Sequence, residues 1–477
     1  MPKNVVFVSG NFNVLHPGHL RLLRFARENG ERLVVGVQSD RIAGYHTHVP
    51  EHLRLEGVRS NNWVDEAFLM DQPATEAIAR LRPDVVVKGK EHEFRFNPEL
   101  AALEQYGGTL LFSSGETTFS SLDLLRKEFS ETDLHSVALP LDYMVRHGIE
   151  KARLEALLQQ FGLLKVCVVG DLIVDEYITC EPLGMSQEDP TIVVSPVDSS
   201  RFIGGAGIVA AHAAGLGAQS HFVSVTGVDA QREFARKELE AAGVQAHLLE
   251  DASRPTPLKQ RFRCMGKTLL RVSHLHQGAI AAQLQIQFLE QLEEAMQGAK
   301  LLVFSDFNYG CLPQPMVDKI VPMARARGMM LAADSQSSSQ VGDISRFQHM
   351  DLLTPTEREA RISTRNREDG LVVLAEALRQ QSSARNVLLK LGAEGLLIHA
   401  GNNVDPKWMT DRIGSLNSSP KDVAGAGDSL LIASALTLAA GGNIWEAACL
   451  GSLAAAIQVG RVGNTPIQRQ ELGRELF

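Results

Sequence analysis

The stretch SPKDVAGAGDSLLIASALTLAAGG, residues 419–442, sets Gly425, Ala426 and Gly427 directly ahead of Asp428 and a long apolar, helix-like run. Small residues in that position let successive backbone N–H groups converge on an anion at the positive end of a helix. A carboxylate beside such a pocket can take a proton from an attacking hydroxyl. An Asp that merely caps a helix accounts for Asp428, but not for the Gly-Ala-Gly run before it. Upstream of this stretch, short apolar runs alternate with longer helical ones: KVCVVGD from Lys165, HFVSVTG from His221, KLLVFSD from Lys300, MMLAADS from Met329 and VLLKLG from Val387. The alternation predicts a largely parallel sheet flanked by helices, with ligands beyond the carboxyl ends of its strands.

The same alternation occupies the start of the chain, in VVFVSG from Val5, RLVVGVQ from Arg32, DVVVKG from Asp84 and TLLFSSG from Thr109. Directly after the first of these strands comes GNFNVLHPGHLRLLRFA, residues 10–26, where His16 and His19 bracket a Pro-Gly turn at a helix start. Gly10 allows close approach of a ligand, the helix start presents N–H groups, and two imidazoles can donate to phosphate oxygens. Such a site stabilises charge on a reacting phosphate. Between the two patterns, polar Pro-containing sequence leads into a helix whose Leu154, Leu157, Leu158 and Phe161 share one face. The expected organisation is an α/β domain over 1–130, a linker with an amphipathic helix over 131–163, and a second α/β domain over 164–477.

Composition sets the outer bounds. The 477 residues are 44% hydrophobic and 22% charged, with 47 Lys plus Arg against 56 Asp plus Glu, a net charge of −9. No global positive field exists to hold a nucleic acid, so any phosphate must be held locally. The five cysteines, Cys167, Cys180, Cys264, Cys311 and Cys449, form no CxxC pair and read as reduced, buried thiols. The start shows no cleavage-site pattern and no apolar run approaches the ~20 residues of a membrane helix, so a cytoplasmic protein with no membrane partner is expected.

The first 130 residues resemble the HxGH nucleotidyltransferase superfamily, in particular its cytidylyltransferase-like group. The resemblance implies a Rossmann-like fold in which His16 and His19 steady the triphosphate while a sugar phosphate attacks the α-phosphorus and pyrophosphate leaves. It further implies nucleotide contacts from Gly10, Phe12, Arg54 and Lys88, and from Thr117, Thr118 and Ser120 in SSGETTFSS. Asn11 and Asn13 depart from the family's pattern, and GYHTH stands where the family places a basic residue; His46 or His48 could replace that cation, or join His52 at a metal.

Residues 164–477 resemble the ribokinase (PfkB) sugar kinases. Matches recur in order through VVGDLIVDEY, FIGGAG, SVTGVD, LKQRFR, SDFNYG, AADS, TPTERE, KLGAEG and the Gly-Ala-Gly-Asp run. The resemblance implies a ribokinase-like α/β fold with Asp428 as base and Gly425, Ala426 and Gly427 as the anion hole. Asp171, Asp175, Gly204, Gly205, Lys259 and Arg261 would serve the sugar and its phosphate, Lys390 and Gly392 the nucleotide, and Glu359 a Mg²⁺ held through water. Ile208, Gln336 and Thr356 replace the amide, cation and Asn of nearby relatives, which points to altered substrate recognition. GAGIVA at Gly205 also imitates a dinucleotide fingerprint, but the segment before it makes a poor central strand.

Both likenesses in one chain resemble the bifunctional enzymes of ADP-heptose synthesis, with the order of domains reversed. They imply a cytoplasmic homodimer, joined through the kinase domain, that uses ATP and Mg²⁺ on a sugar phosphate such as heptose 7-phosphate. The alternatives are a non-heptose sugar or polyol phosphate with CTP, or an N-terminal half that binds nucleotide for regulation.

Overall fold

A computed structural model describes residues 4–13, 15, 17–43, 49–89, 97–113, 137–186, 188–189, 191–264, 267–336, 342–401 and 409–476. The chain divides into two compact units, Met1–Leu134 and His135–Phe477.

In the first unit, strands β1 (Val5–Gly10), β2 (Arg32–Gln38), β3 (Glu66–Met70), β4 (Val85–Gly89) and β5 (Thr109–Ser113) form one sheet in the order β3-β2-β1-β4-β5. Every pair in it is parallel. Side chains alternate across a strand, so Val6 and Val8 pack with Leu23 and Ala26 of helix Pro17–Glu28, while Phe7 faces Ile78 and Leu103 on the other side. Both faces are covered, which is why these strands are nearly continuous runs of Val and Leu. The strand order reverses between β1 and β4, and the ends of those two strands carry Gly10 and Lys88.

The second unit holds two sheets. The larger contains β6 (Lys165–Gly170), β9 (Gln219–Thr226), β10 (Gln245–Glu250), β13 (Leu301–Asp306), β14 (Met330–Ser335), β15 (Leu352–Leu353), β16 (Asn386–Lys390), β17 (Leu396–Ala400) and β18 (Thr410–Ile413). Their order is β10-β9-β6-β13-β14-β15-β16-β17-β18, parallel as far as β16 and antiparallel beyond it. Val168 and Val303 face one helical layer and Val169 and Phe304 the other. The smaller sheet, in the order β12-β11-β7-β8, joins β7 (Leu172–Met185), β8 (Ile192–Gly205), β11 (Leu258–Cys264) and β12 (Lys267–His274). The chain enters it directly from β6, through Asp171, and leaves it from Gly205 into helix Ala206–Gly215.

Residues 137–163, read from sequence as the second part of a linker, are built into this second unit. Leu154, Leu157, Leu158 and Phe161 are all within 2% of complete burial in its core. The Tyr143 hydroxyl donates to the carbonyl of Trp445 at 3.0 Å, and the His147 ring stacks on Trp445 at 4.1 Å while its Nε2 meets Asp411 at 2.8 Å. The stripe of that helix is thus ordinary core packing. All five cysteines are buried and unbridged. No helix among the described residues is long and apolar enough to cross a membrane.

Candidate active sites

Helix Ala426–Ala439 starts on Gly425, whose φ of +76° lies in the left-handed region. A Cβ there would stand 2.4 Å from Oδ1 of Asn464, so both backbone and space call for glycine. The approach to it is held from three sides. Asp422 accepts from the N–H of Ala424 at 3.1 Å, from that of Gly463 at 3.2 Å and from the Tyr177 hydroxyl at 2.7 Å. Gln458 Nε2 donates to the carbonyls of Ala424 and Gly463 at 3.2 and 2.9 Å. Ala426 donates to the Val423 carbonyl at a long 3.4 Å. The N–H groups of Gly427 and Asp428 belong to the first helical turn and have no carbonyl partner within the helix.

Asp428, in that first turn, is 5% exposed. Burial, reinforced by Asp334, pushes its pKa up to about 7. Asp334 ends β14 and binds Lys390 Nζ at 2.7 Å; its Oδ1 is buried without a hydrogen-bond partner among the described residues. Burial also lifts Asp334, to about 6, despite that ion pair. For Lys390 burial works against the charge, but Asp334 and Glu359 outweigh it and the ammonium is held above the usual lysine range. Glu359 sits in the first turn of helix Glu357–Thr364 as half of a capping box with Thr356, accepting from the Thr356 N–H at 2.7 Å. Gln336 Nε2 reaches Asp428 Oδ1 at 3.3 Å. Three carboxylates, one ammonium and one amide thus share the end of the sheet below the anion pocket.

Under the smaller sheet, the Asp175 carboxylate is 5% exposed and takes Arg261 at 3.4 Å and Asn464 Nδ2 at 3.3 Å. A Cβ on Gly204 would fall 2.3 Å from its Oδ2, so that carboxylate occupies the space a side chain would need. Gly205 joins β8 to helix Ala206–Gly215 beside it. Lys259 Nζ lies over the rings of Phe307 and Tyr309 at 4.7 and 5.4 Å, and Arg261 lies over Tyr177 at 5.1 Å. Asp171, expected to hold sugar, is engaged otherwise. It accepts from the N–H groups of Phe307, Tyr309 and Cys311 at 2.8 to 3.2 Å, clamping the loop that carries the aromatic pair beneath Lys259. Burial, with Asp306 adding to it, raises Asp171 to about 6.

In the first unit, the Phe12 ring comes 3.2 Å from where a Cβ on Gly10 would stand and lies 5.1 Å from the His19 ring. Phe12 itself has φ +50°, an uncommon conformation for an aromatic residue. Arg54 is fully buried and donates to the Asn11 carbonyl at 2.6 Å, the Val49 carbonyl at 2.8 Å and Asp40 at 2.6 Å. It therefore ties the loop after β1 to the loop before helix Glu51–Arg59, where a nucleotide contact was expected. Lys88 is paired with Glu99 at 2.9 Å. His16, His46, His48, Thr117, Thr118 and Ser120 lie outside the described residues, and His52 is exposed on helix Glu51–Arg59.

Asp422, Gln458 and Asn464, which position the anion pocket, are absent from the sequence expectations. Asp422 adjoins the Gly-Ala-Gly run and could have been suspected; Gln458 and Asn464 are more than thirty residues away in sequence. No group of three or more His, Cys, Asp or Glu that could hold a metal occurs among the described residues.

A buried carboxylate at a helix start, together with a four-stranded sheet that continues from an interior strand of a mostly parallel one, matches the α/β sugar-kinase class. The chain belongs to the pfkB family of carbohydrate kinases, whose profile matches residues 163–470. Residues 7–106 match the cytidylyltransferase-like profile, and the two units carry these two folds in that order. Bifunctional protein HldE of Syntrophotalea carbinolica is 27% identical over 328 residues, 68% of this chain and 65% of that protein. Its counterpart in Pseudomonas fluorescens is 31% identical over 319 residues, 66% of this chain and 64% of that one. The chain thus spans just under two thirds of the length of these relatives. Among solved structures, the ribokinase of Arabidopsis thaliana complexed with ribose and ATP matches 66% of this chain and 98% of its own at a TM-score of 0.51 and 18% identity, a likeness of fold.

Proposed function

We propose that this protein is a bifunctional enzyme of nucleotide-sugar synthesis. Its second unit transfers the terminal phosphoryl group of ATP to a hydroxyl of a sugar phosphate, heptose 7-phosphate-like. Its first unit joins a nucleotidyl group to a sugar 1-phosphate with release of pyrophosphate. The observation that carries the kinase reading is Asp428, buried at a helix start beside Lys390 with its pKa pushed up to about 7, the range in which a carboxylate accepts a proton readily at neutral pH.

In this reading Asp428 takes the hydroxyl proton as the sugar oxygen attacks the terminal phosphorus and the bond to the departing ADP breaks. The N–H groups of Gly427 and Asp428, and to a lesser degree Ala426, receive the equatorial oxygens, and Lys390 and Gly392 line the donor's path. Asp175 orients sugar hydroxyls, and Lys259 and Arg261 meet the phosphate the sugar already carries. Mg²⁺ suits the orphaned Oδ1 of Asp334 together with Glu359, and when bound it neutralises charge on the donor phosphates. The exposed apolar residues of the smaller sheet, among them Leu183, Met185, Ile192 and Val197, support a homodimer formed through the kinase unit. A cytoplasmic setting fits five buried, unbridged thiols.

A second reading has one observation in its favour. Both cations expected to meet nucleotide in the first unit are engaged internally, Arg54 with three acceptors and Lys88 with Glu99. A unit that binds ATP or CTP without turning it over would look the same. Two assays separate these readings. ATP-dependent phosphorylation of a panel of sugar phosphates is expected, and is lost in Asp428→Asn; no turnover across the panel removes the kinase reading. Pyrophosphate release from ATP or CTP with a sugar 1-phosphate is expected, and is lost in His16→Ala; binding without release leaves the regulatory reading.

A further inference from the structure

Tyr177, 5% exposed, follows Asp175 by two residues on β7, so both side chains leave the smaller sheet on one face, beside Lys259 and Arg261 of the neighbouring β11. Its ring lies under two cations of β11, Arg261 at 5.1 Å and Arg263 at 5.3 Å. Its hydroxyl leaves the sheet and donates to Asp422 Oδ2 at 2.7 Å. Asp422 stands in the turn before Gly425, where it also accepts from the N–H groups of Ala424 and Gly463. Burial raises the Tyr177 phenol and keeps it protonated. Burial acts on Asp422 in the same sense, but the phenol and the two N–H groups outweigh it and hold that carboxyl below its usual range. The link is therefore an O–H donating to a charged carboxylate, one of the stronger kinds of hydrogen bond. Two further contacts bridge the same gap. Phe202 of β8 meets the Tyr177 ring edge-on at 5.3 Å, and its own ring lies 2.4 Å from where a Cβ on Gly463 would stand. Asn464 reaches from the residue after Gly463 to Asp175 at 3.3 Å. The smaller sheet and the two turns ahead of Asp428 thus hold each other in place.

We propose that Tyr177 is a positioning residue that couples the two substrates: its ring carries the cations that meet the acceptor's phosphate, and its hydroxyl fixes the turn that shapes the anion pocket. The inference rests on the kinase reading for which substrate each end serves. A phosphate that takes Arg261 and Arg263 settles their guanidinium groups over the ring, and the settled ring keeps its hydroxyl on Asp422. The N–H groups ahead of Asp428 are then set for the donor before it arrives. Phenylalanine at this position keeps the platform and loses the link.

Calorimetry on the full chain tests this, measuring the affinity for AMP-PNP with Mg²⁺, alone and with saturating heptose 7-phosphate or whichever panel sugar phosphate is turned over fastest. In the parent chain the sugar phosphate should tighten AMP-PNP about fivefold or more. In Tyr177→Phe that ratio should fall below about twofold, while the sugar phosphate alone binds much as before. Its kcat should fall about tenfold or more with little change in the KM for the sugar phosphate, whereas Tyr177→Leu, which also removes the platform, should raise that KM. A merely structural role would lower the melting temperature and leave the ratio of the two AMP-PNP affinities where it was. Equal ratios in the parent and Tyr177→Phe, or a parent ratio of one, overturn the proposal. Failure of the kinase reading looks different, since no sugar phosphate of the panel is then phosphorylated. Hydrogen exchange in that case decides the link on nucleotide alone: AMP-PNP should slow exchange in β7 and β11 of the parent but not of Tyr177→Phe, and equal protection in both overturns it.

Discussion

Asp428 carries opposite demands. To act as a base it must be ionised at neutral pH, yet burial beside Asp334 favours its protonated form. Rate should therefore fall about tenfold per pH unit below its pKa, giving an acid limb near pH 7 in kcat/KM. The same shift bears on stability. Because the folded pKa exceeds that of an unfolded Asp, the folded protein holds an extra proton between roughly pH 4 and 7 and loses stability as pH rises through that window. Asp428→Asn, uncharged at every pH, should abolish phosphorylation and melt higher than the parent at pH 8, by roughly 2–4 °C for each kcal/mol relieved. Melts at pH 5 and pH 8 check this, since the gap must widen with pH. Lys390→Met is the complementary case. It strips Asp334 of its ion pair, so turnover should drop by about two orders of magnitude or more and the melting temperature should fall as well.

The start of helix Ala426–Ala439 sets the geometry around that carboxylate. Gly425→Ala would bring a Cβ to 2.4 Å from Asn464 in a conformation that alone costs an L-residue about 1–2 kcal/mol. Turnover should collapse with a smaller loss of stability, as seen by comparing kcat with the melting temperature. At this scale the sequence was informative where one element holds all the determinants. The Gly-Ala-Gly-Asp run and the Val-rich strands follow from local rules of period and backbone freedom. It was less informative where a side chain could serve either a ligand or the backbone. Asp171 has the right type and place for a sugar contact, but three N–H groups of the loop after β13 converge on it. Arg54 is similar, since only the folded loops bring the Asn11 and Val49 carbonyls to its guanidinium. Those N–H groups and the Asn11 carbonyl come from distant parts of the chain, and no window of sequence reveals them.

For the molecule as a whole, the stretch before β6 decides where the kinase unit can be cut. A chain of residues 135–477 should fold and retain phosphorylation, because Tyr143, His147 and the helix Lys151–Gln160 all pack within that unit. A chain of residues 164–477 should aggregate or melt far lower. It lacks Leu154, Leu157, Leu158 and Phe161, each contributing about 1.5–3 kcal/mol by burial, and uncovers the surface they protect. Expression of both fragments, followed by thermal melts and the kinase assay, checks the boundary.

The burial of every cysteine has a practical side. Thiol reagents are attacked by the thiolate, and burial pushes Cys167 and Cys449 up to about 12, with Cys311 raised further still. At neutral pH the native protein offers maleimides almost nothing to react with. A single new cysteine at a solvent-facing position such as Val145, 81% exposed, would then accept a fluorophore or spin label without first removing the natural five. Pairs of such labels, one on each unit, would make the protein its own gauge of distance as nucleotide and sugar phosphate are added.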